Sequence, residues 1–208
     1  MKGAFIVLEG IDGSGKSTQA QILAESLRQR GKECFLTREP SDGEVGKLLR
    51  RALGGEVKFS EQTMAALFAA DRLDHLTNEK NGVLKALNEG KTVICDRYYF
   101  STYAYQSVEV DLAWAMALNA QAEKIARPTV NIYLDLSVEK ALERISQNRS
   151  QIDIYESRER LVQTKNNYEA VISMLKNREN IVIINAEGSA EDIAQNIWRS
   201  LEKMGLGE

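Results

Sequence analysis

The sequence is short of several things, and each shortage removes a class of explanation. Its 208 residues include 2 cysteines, 2 prolines and 1 histidine. Cys34 and Cys95 sit in separate strand-like runs with no companion histidine, so a zinc site is not expected; two buried free thiols in a reducing compartment are. His75 lies in a helical stretch with no obvious partner and reads as structural. No apolar run approaches the ~20 residues of a membrane span, and residues 1–8 are too short for a signal peptide and run straight into a glycine-rich turn. Basic blocks are missing as well. Formal net charge is −3, which argues against non-specific nucleic-acid or membrane-surface partners and leaves room for a local basic pocket. With no repeat, low-complexity tract or dividing linker, one cytoplasmic domain over residues 1–208 is expected, long enough to bury a substantial core.

What the chain does have begins at once. Phe5-Ile6-Val7-Leu8-Glu9 is an apolar run, and Gly10-Ile11-Asp12-Gly13-Ser14-Gly15-Lys16-Ser17-Thr18 follows it. The spacing from Gly10 to Ser17 fits G-x-x-x-x-G-K-[ST], a loop that cradles phosphates. Glycines let backbone N–H groups curl round an anion without Cβ clashes, and the next helix adds positive potential at its N-terminus. Lys16 is placed to reach the β- and γ-phosphates, and Ser17 to offer its hydroxyl to Mg²⁺. The chain is expected to bind a nucleoside triphosphate.

The rest alternates. An amphipathic segment over 19–30 ends at Gly31, and a second strand spans 33–37. Arg38-Glu39-Pro40 is a loop, because Pro40 biases Glu39 away from helix. Helical periods run over 45–53 and from Ser60 to beyond Leu76, the latter interrupted near Gly82 and closed by Gly90. Residues 91–95 form a third strand ending in Asp96-Arg97-Tyr98, and 101–106 is a polar, aromatic stretch near a helix start. An alanine-rich helix over 111–126 is apolar most of the way round, as a core or partner-facing helix is. A fourth strand at 130–136, a charged helical region at 138–176 broken near 146–153, a fifth strand at 180–185 and a helix at 189–203 complete the chain. Alternation of this kind predicts an α/β fold, a parallel sheet covered on both faces.

Val93-Ile94-Cys95-Asp96 has the form of a strand that ends in a metal-holding carboxylate, projecting into the crevice where parallel sheets bind ligands. A GTP switch would need an Asn-Lys-x-Asp-like string. The nearest, Thr164-Lys165-Asn166-Asn167, lacks the acid and lies inside a charged helix. A motor or helicase would normally need a longer chain and more basic nucleic-acid contacts.

Several further strings then appear in order: Thr37-Arg38-Glu39-Pro40, Phe68-Ala69-Ala70-Asp71-Arg72, Asp96-Arg97-Tyr98, Ser101-Thr102-Tyr103-Ala104-Tyr105-Gln106, and Arg127-Pro128 before Tyr133-Leu134-Asp135. With the phosphate loop they resemble the thymidylate (dTMP) kinases, P-loop nucleoside monophosphate kinases, over most of the chain. That resemblance implies a three-layer kinase fold with a five-stranded parallel sheet, a homodimer, ATP and Mg²⁺ as cofactors, and dTMP as the small-molecule substrate. Apolar faces within 68–87 or 111–126 would form the dimer interface.

It also implies residue roles. Residues Gly10, Ile11, Asp12, Gly13, Ser14, Gly15, Lys16, Ser17 and Thr18 would hold the donor, with Ser17 and Asp96 at the metal. Phe68 would stack on thymine, Arg72 would donate to a base carbonyl, and Thr102 would help read the base edge. Tyr105 would pack beneath sugar and base, favouring deoxyribose; Asp12 would contact the acceptor's sugar or phosphate region. Arg97, with Arg38 and Arg50 as further candidates, would hold the acceptor phosphate, and Glu39 and Pro40 would border that site. Some relatives carry an arginine in the phosphate loop, but none lies in Asp12-Gly13-Ser14. A lid at about 144–160 would supply it, from Arg144 or Arg149 first and Arg158 or Arg160 next, with Glu156 facing the metal or acceptor. Asn185-Ala186-Glu187-Gly188 would pack the adenine.

The expected chemistry needs no general base. A phosphate monoester has a second pKa of about 6, so its attacking oxygen is already ionised near neutral pH. Positive charge and positioning are what the reaction lacks. Two departures from many relatives stand out: Ser107-Val108-Glu109-Val110 is short and has no glycine, and the lid carries Asn and Gln where several have arginine. Two alternatives stay open, another nucleotide or deoxynucleoside kinase of this fold and a nucleotide-binding regulatory protein with weak catalysis.

Overall fold

The computed structural model describes residues 3–148 and 157–207. Short apolar runs bounded by glycine or polar turns become parallel strands. β1 (Phe5–Glu9) is buried along its whole length, and β3 (Thr92–Asp96) and β4 (Val130–Asp135) nearly so. A strand covered on both faces needs no polar alternation, so these three read as unbroken apolar runs. β2 (Cys34–Arg38) and β5 (Ile181–Asn185) take the less covered edges. The order across the sheet is β2-β3-β1-β4-β5, every pair parallel. The five-stranded α/β expectation holds.

Among the described residues the helices are α1 (Lys16–Gln29), α2 (Glu44–Leu53), α3 (Glu61–Thr77), α4 (Val83–Asn88), α5 (Tyr99–Tyr105), α6 (Leu112–Ile125), α7 (Val138–Asn148), α8 (Arg158–Leu175) and α9 (Ala190–Lys203). Ser60, Asp111, Ser157 and Ser189 cap α3, α6, α8 and α9, each accepting a backbone N–H three residues on; such caps satisfy donors that the helix leaves open.

Four local expectations need correction. α1 starts at Lys16 rather than near residue 19, because the glycine-rich turn itself delivers the helix's first residue. The stretch 101–106 is mostly the body of α5, all of whose residues are buried. Its tyrosines, serine and threonine are mediocre helix formers, so burial rather than propensity makes that helix. Tyr98, just before it, anchors to α6 by donating its hydroxyl to Ala126 O at 3.0 Å. α6 is not a core helix, one of the two readings its apolar surface left open: Ala115, Asn119 and Ala122 face inward while Trp114 is exposed. Cys95 is buried as expected, but Cys34, on the edge strand, is only partly covered; neither is in a disulfide.

The register sets the site. Leu8 of β1 lies level with Asp96 of β3 and Ile132 of β4, and Arg38 of β2 is level with Asp96. From β1 the chain first crosses towards β2 and later to β4 on the other side, so a crevice opens beyond the carboxyl end of β1, where doubly wound sheets bind ligands. No described helix is long and apolar enough to cross a membrane. Leu8 is fully buried at the centre of this sheet, and Leu8→Ala should lower unfolding stability by about 3 kcal/mol. Denaturant titration checks this, with an unchanged slope and a lowered midpoint expected.

Candidate active site at the carboxyl ends of the strands

The phosphate loop is shaped by close approach. Gly13 has φ 78°, and a Cβ there would stand 2.6 Å from Ala141 O of α7. A Cβ on Gly10, φ 147°, would stand 2.8 Å from Leu134 O. Larger residues would push β4 and α7 off the loop. No side chain caps α1, so its first N–H groups remain for an anion. Lys16 folds back over the loop, donating to Ile11 O at 2.9 Å and to Ser14 Oγ at 3.4 Å.

A cleft of about 780 Å³ opens in front of this loop, lined by Asp12, Gly13, Gly15, Lys16, Ser17 and Thr18 among others. Gly10, Ile11 and Ser14 are buried and do not line it; they shape the loop from behind. Ser17 Oγ donates to Asp96 Oδ2. Asp96 Oδ1 is buried with no hydrogen-bond partner. An orphaned carboxylate oxygen beside a hydroxyl is the donor set that Mg²⁺ uses, since that ion takes one or two protein oxygens and leaves the rest to water and phosphate. The residues fit the metal.

Arg97 follows Asp96 and has φ 74°, the only described non-glycine residue with positive φ. Such a conformation costs roughly 1 kcal/mol or more and persists where its surroundings enforce it. Here they do. Its N–H donates to Leu8 O at 2.9 Å, and its guanidinium donates to Asp12 Oδ1 at 2.6 Å, Ser101 Oγ at 3.1 Å, Tyr105 Oη at 3.1 Å and Gly10 O at 3.3 Å. Tyr105 in turn donates to Asp12 Oδ2 at 2.9 Å. Burial opposes charge on Arg97, yet Tyr105, Asp12, Tyr168 and Asp96 outweigh it and raise its pKa well above the ordinary value.

Behind this junction lies a second cavity, of about 190 Å³, which joins Glu39, Pro40, Phe68, Arg72, Arg97, Thr102, Tyr105 and Asp12. The acceptor residues expected from the sequence line it, except Arg38 and Arg50, which line the phosphate-loop cleft. Arg50 donates to Pro40 O at 2.9 Å and Ser41 O at 2.6 Å, bracing the Glu39-Pro40 turn. Arg72 is almost fully buried and ion-paired to Glu39 at 2.7 Å. His75 is not without a partner, contrary to expectation: it meets Glu39 Oε1 at 3.1 Å and Thr37 Oγ1 at 2.7 Å. A three-residue spacing in α3 explains this: Arg72 and His75 share one helix face and both reach Glu39.

The remaining arginines divide. Arg144 donates to Ala186 O at 2.9 Å, Gly188 O at 3.4 Å and Gly13 O at 3.5 Å, and lines the cleft. It therefore ties α7 to the phosphate loop and to the turn after β5. Arg38 lines the cleft too, paired with Asp42 at 3.3 Å on an exposed edge. Arg158 pairs with Glu139 at 3.1 Å, and Arg160 with Glu109 at 3.2 Å and Glu61 at 3.6 Å; neither lines the two cavities. Arg149 and Glu156 lie outside the described residues, as does much of the 144–160 segment. Gly188 lines the cleft, whereas Asn185 accepts from Glu187 N at 2.8 Å and shapes the turn.

Sequence reasoning missed several residues. Glu9, fully buried, accepts from Tyr98 N at 2.8 Å, Ser101 Oγ at 2.6 Å and Tyr168 Oη at 2.9 Å. Burial raises its pKa, and hydrogen bonds from Ser101, Tyr168 and Tyr98, with the charge of Arg97, hold back the rise. Gln106, quoted only as part of a string, lines the second cavity with a buried, unpartnered Nε2. Asn119 accepts from Arg72. A glutamate closing an apolar strand was a signal; nothing in an alanine-rich helix marked Asn119.

Burial also pushes the Lys16 ammonium down to about 8 from the usual 10.5, aided by nearby Arg97 and opposed by Asp12, Asp96 and Glu9. An arriving polyphosphate favours the charged form and restores the pKa. Between those values the free protein has lost part of a proton that the complex holds. Binding of a non-hydrolysable ATP analogue at pH 8.5 should therefore take up protons, and affinity should fall as pH rises through 8–9. Calorimetry in two buffers of different ionisation enthalpy reads this; equal apparent enthalpies would contradict it.

With this geometry in place, the likenesses to known proteins become informative. The family model described as Thymidylate kinase matches residues 8–197. A protein of Pyrococcus horikoshii named "Probable thymidylate kinase" is 43% identical, with 100% of each chain covered. A protein of the same name from Pyrococcus abyssi is 39% identical, again over 100% of each. A "Putative thymidylate kinase" of Treponema pallidum is 34% identical over 96% of this chain and 95% of its own. A match of that extent, on a chain whose phosphate loop and second cavity converge at Arg97, places it in the thymidylate kinase family.

Proposed function

We propose that this protein transfers the γ-phosphoryl group of ATP to dTMP, giving ADP and dTDP, as one kinase domain over residues 1–208. The observation that carries this reading is the junction of the two cavities. Asp12, Glu39, Pro40 and Arg97 line both, so a phosphate held at the mouth of the smaller one faces a triphosphate held on the loop.

The acceptor occupies the smaller cavity. Phe68, half-buried above it, stacks on the base; Thr102 and Arg72 supply a hydroxyl and a guanidinium to the base edge. Tyr105, clamped by Asp12 and Arg97, fills the space where a 2′-hydroxyl would sit. Arg97 holds the acceptor phosphate, and Arg50 and Arg38 add positive charge at the entrance. The phosphate oxygen, already ionised with a second pKa of about 6, attacks the γ-phosphorus as the bond to the bridging β,γ-oxygen breaks. No proton has to leave the nucleophile.

Charge spreads over the transferring group, and Lys16, Arg97 and Arg144 are positioned to stabilise it. Arg149 is a further catalytic arginine in this reading. Ser17 and Asp96 would hold Mg²⁺, which would supply positive charge to the donor phosphates. We further propose a homodimer, supported by the exposed Trp114 on α6 beside Ala113 and Ala117, and work in the cytoplasm, supported by cysteines that form no disulfide.

The test is Mg²⁺-dependent transfer from ATP across dTMP, dUMP, dCMP, dGMP, AMP and thymidine. Preference for dTMP is expected. Preference for another monophosphate would sink the base-reading roles and keep the phosphate-loop argument, and binding of ATP without transfer would favour a regulatory role. Lys16→Ala should lower kcat by about 100-fold or more while leaving the melting temperature near that of the parent, since one charge-stabilising donor is commonly worth that much.

A further inference from the structure

Arg72 carries five N–H groups, and its surroundings claim four. Nε donates to Glu39 Oε2 at 2.8 Å, and Nη2 approaches the same oxygen at 2.7 Å. Nη1 donates to Thr102 Oγ1 at 3.1 Å and also to Asn119 Oδ1. One Nη2 hydrogen is left without a partner. The guanidinium lies over the ring of Tyr98, 5.3 Å from its centroid, and Tyr98 is itself fixed to α6 through Ala126 O.

Asn119 is an odd residue for its place. It is completely buried on α6, between the small inward residues Ala115 and Ala122. Asparagine is a poor helix former, and its buried amide costs free energy unless both ends are satisfied. Its Nδ2 donates to Ala115 O at 2.8 Å. That bond settles which way the amide points: a backbone carbonyl only accepts and a guanidinium only donates, so Oδ1 must face Arg72. Asn119 does not line the cavity. No role within the cavity accounts for it.

We infer that Asn119 is a specificity-determining positioning residue, which holds Nη1 of Arg72 so that the guanidinium presents a fixed donor to the 4-position of a pyrimidine. This rests on the acceptor reading above. Thymine and uracil carry an acceptor oxygen there, and cytosine carries a donor amine. A locked donor accepts the first two and rejects the third, because a donor facing a donor leaves both unpaired in a buried site. With one tether gone, the guanidinium can swing away from the amine, and the discrimination weakens. Glu39 holds the other edge of the same group and is held in turn by His75. Two elements distant in sequence, β2 with its loop and α6, thus fix one plane.

The test compares Asn119→Leu, a near-isostere without an acceptor, with Asn119→Asp, which keeps one. Steady-state transfer is measured for dTMP, dUMP and dCMP, and thermal melting identifies folded protein; Asn119→Ala carries the comparison if Asn119→Leu does not fold. In Asn119→Leu, KM for dTMP and dUMP should rise roughly 10-fold with kcat little changed, and the dTMP-to-dCMP ratio of kcat/KM should fall by about the same factor. Asn119→Asp should recover most of that ratio. A folded Asn119→Leu or Asn119→Ala whose losses are equal for all three acceptors would overturn the inference, as would a loss in Asn119→Asp as large as in Asn119→Leu. Failure of the acceptor reading looks different: the parent protein itself would then show no preference between dTMP and dCMP.

Discussion

One guanidinium holds the two halves of the site together. Arg97 sits in a left-handed turn between β3 and α5, its backbone bonded to β1 and its side chain to the phosphate loop and α5. A partly buried cation on a strained backbone is costly, and it persists because its neighbours are arranged to receive it. Below it, Glu9 fixes the start of α5 through Tyr98 N and Ser101. The carboxylate that receives these bonds closes β1, the strand that also launches the phosphate loop. The phosphate loop and the wall of the second cavity are therefore referenced to the same strand, which fixes their separation more firmly than two independent loops could.

A similar economy governs the acceptor cavity. Arg72 and Glu39 form an ion pair that is almost wholly excluded from water. Such a pair adds little net stability, because desolvation offsets attraction, but losing one member typically costs about 3–5 kcal/mol. Its benefit is geometric. Thr37, His75, Glu39, Arg72 and Asn119 form a chain of hydrogen bonds from β2 to α6, and a planar group bonded along two edges cannot rotate. His75, which the sequence alone marked as structural but without an evident partner, is a link in that chain. Asp71, next to Arg72, adds another tie by accepting from Ser41 N at 2.7 Å and Ser41 Oγ at 2.6 Å.

What could be read from the sequence was whatever local chemistry dictates. Unbroken apolar runs such as 5–8 and 93–95 announced buried parallel strands, and Gly10, Gly13 and Lys16 announced the loop. Contacts made by tertiary placement were not legible. α5 was read as a polar stretch because its tyrosines and serine carry no helical signature, and its helical form comes from packing against α6 and α8. Asn119 was invisible for the opposite reason. Its neighbours are good helix formers, and the bond that gives it meaning joins residues 47 apart in the chain. The acceptor residues implied by the strings shared with relatives line one cavity apart from Arg38 and Arg50, while Gly10, Ile11 and Ser14 of the phosphate loop are buried and do not line the cleft in front of it.

The division of labour that results has a consequence for how this site can vary. The phosphate loop, Asp96 and Arg97 descend from β1, β3 and the segments that follow them, and those strands are buried along nearly their whole length and closely registered. The smaller cavity is walled by the turn after β2, by α3 and by α5, with α6 acting on it indirectly through Asn119. Charge stabilisation tolerates displacement poorly, since its strength depends on preorganised donors in a dry site. In the reading proposed above, selection among bases turns on the one Arg72 hydrogen that its neighbours leave unpaired. On that reading the two functions can change separately: a shift of α6 against α3 would alter what Arg72 presents without moving Lys16 or Arg97.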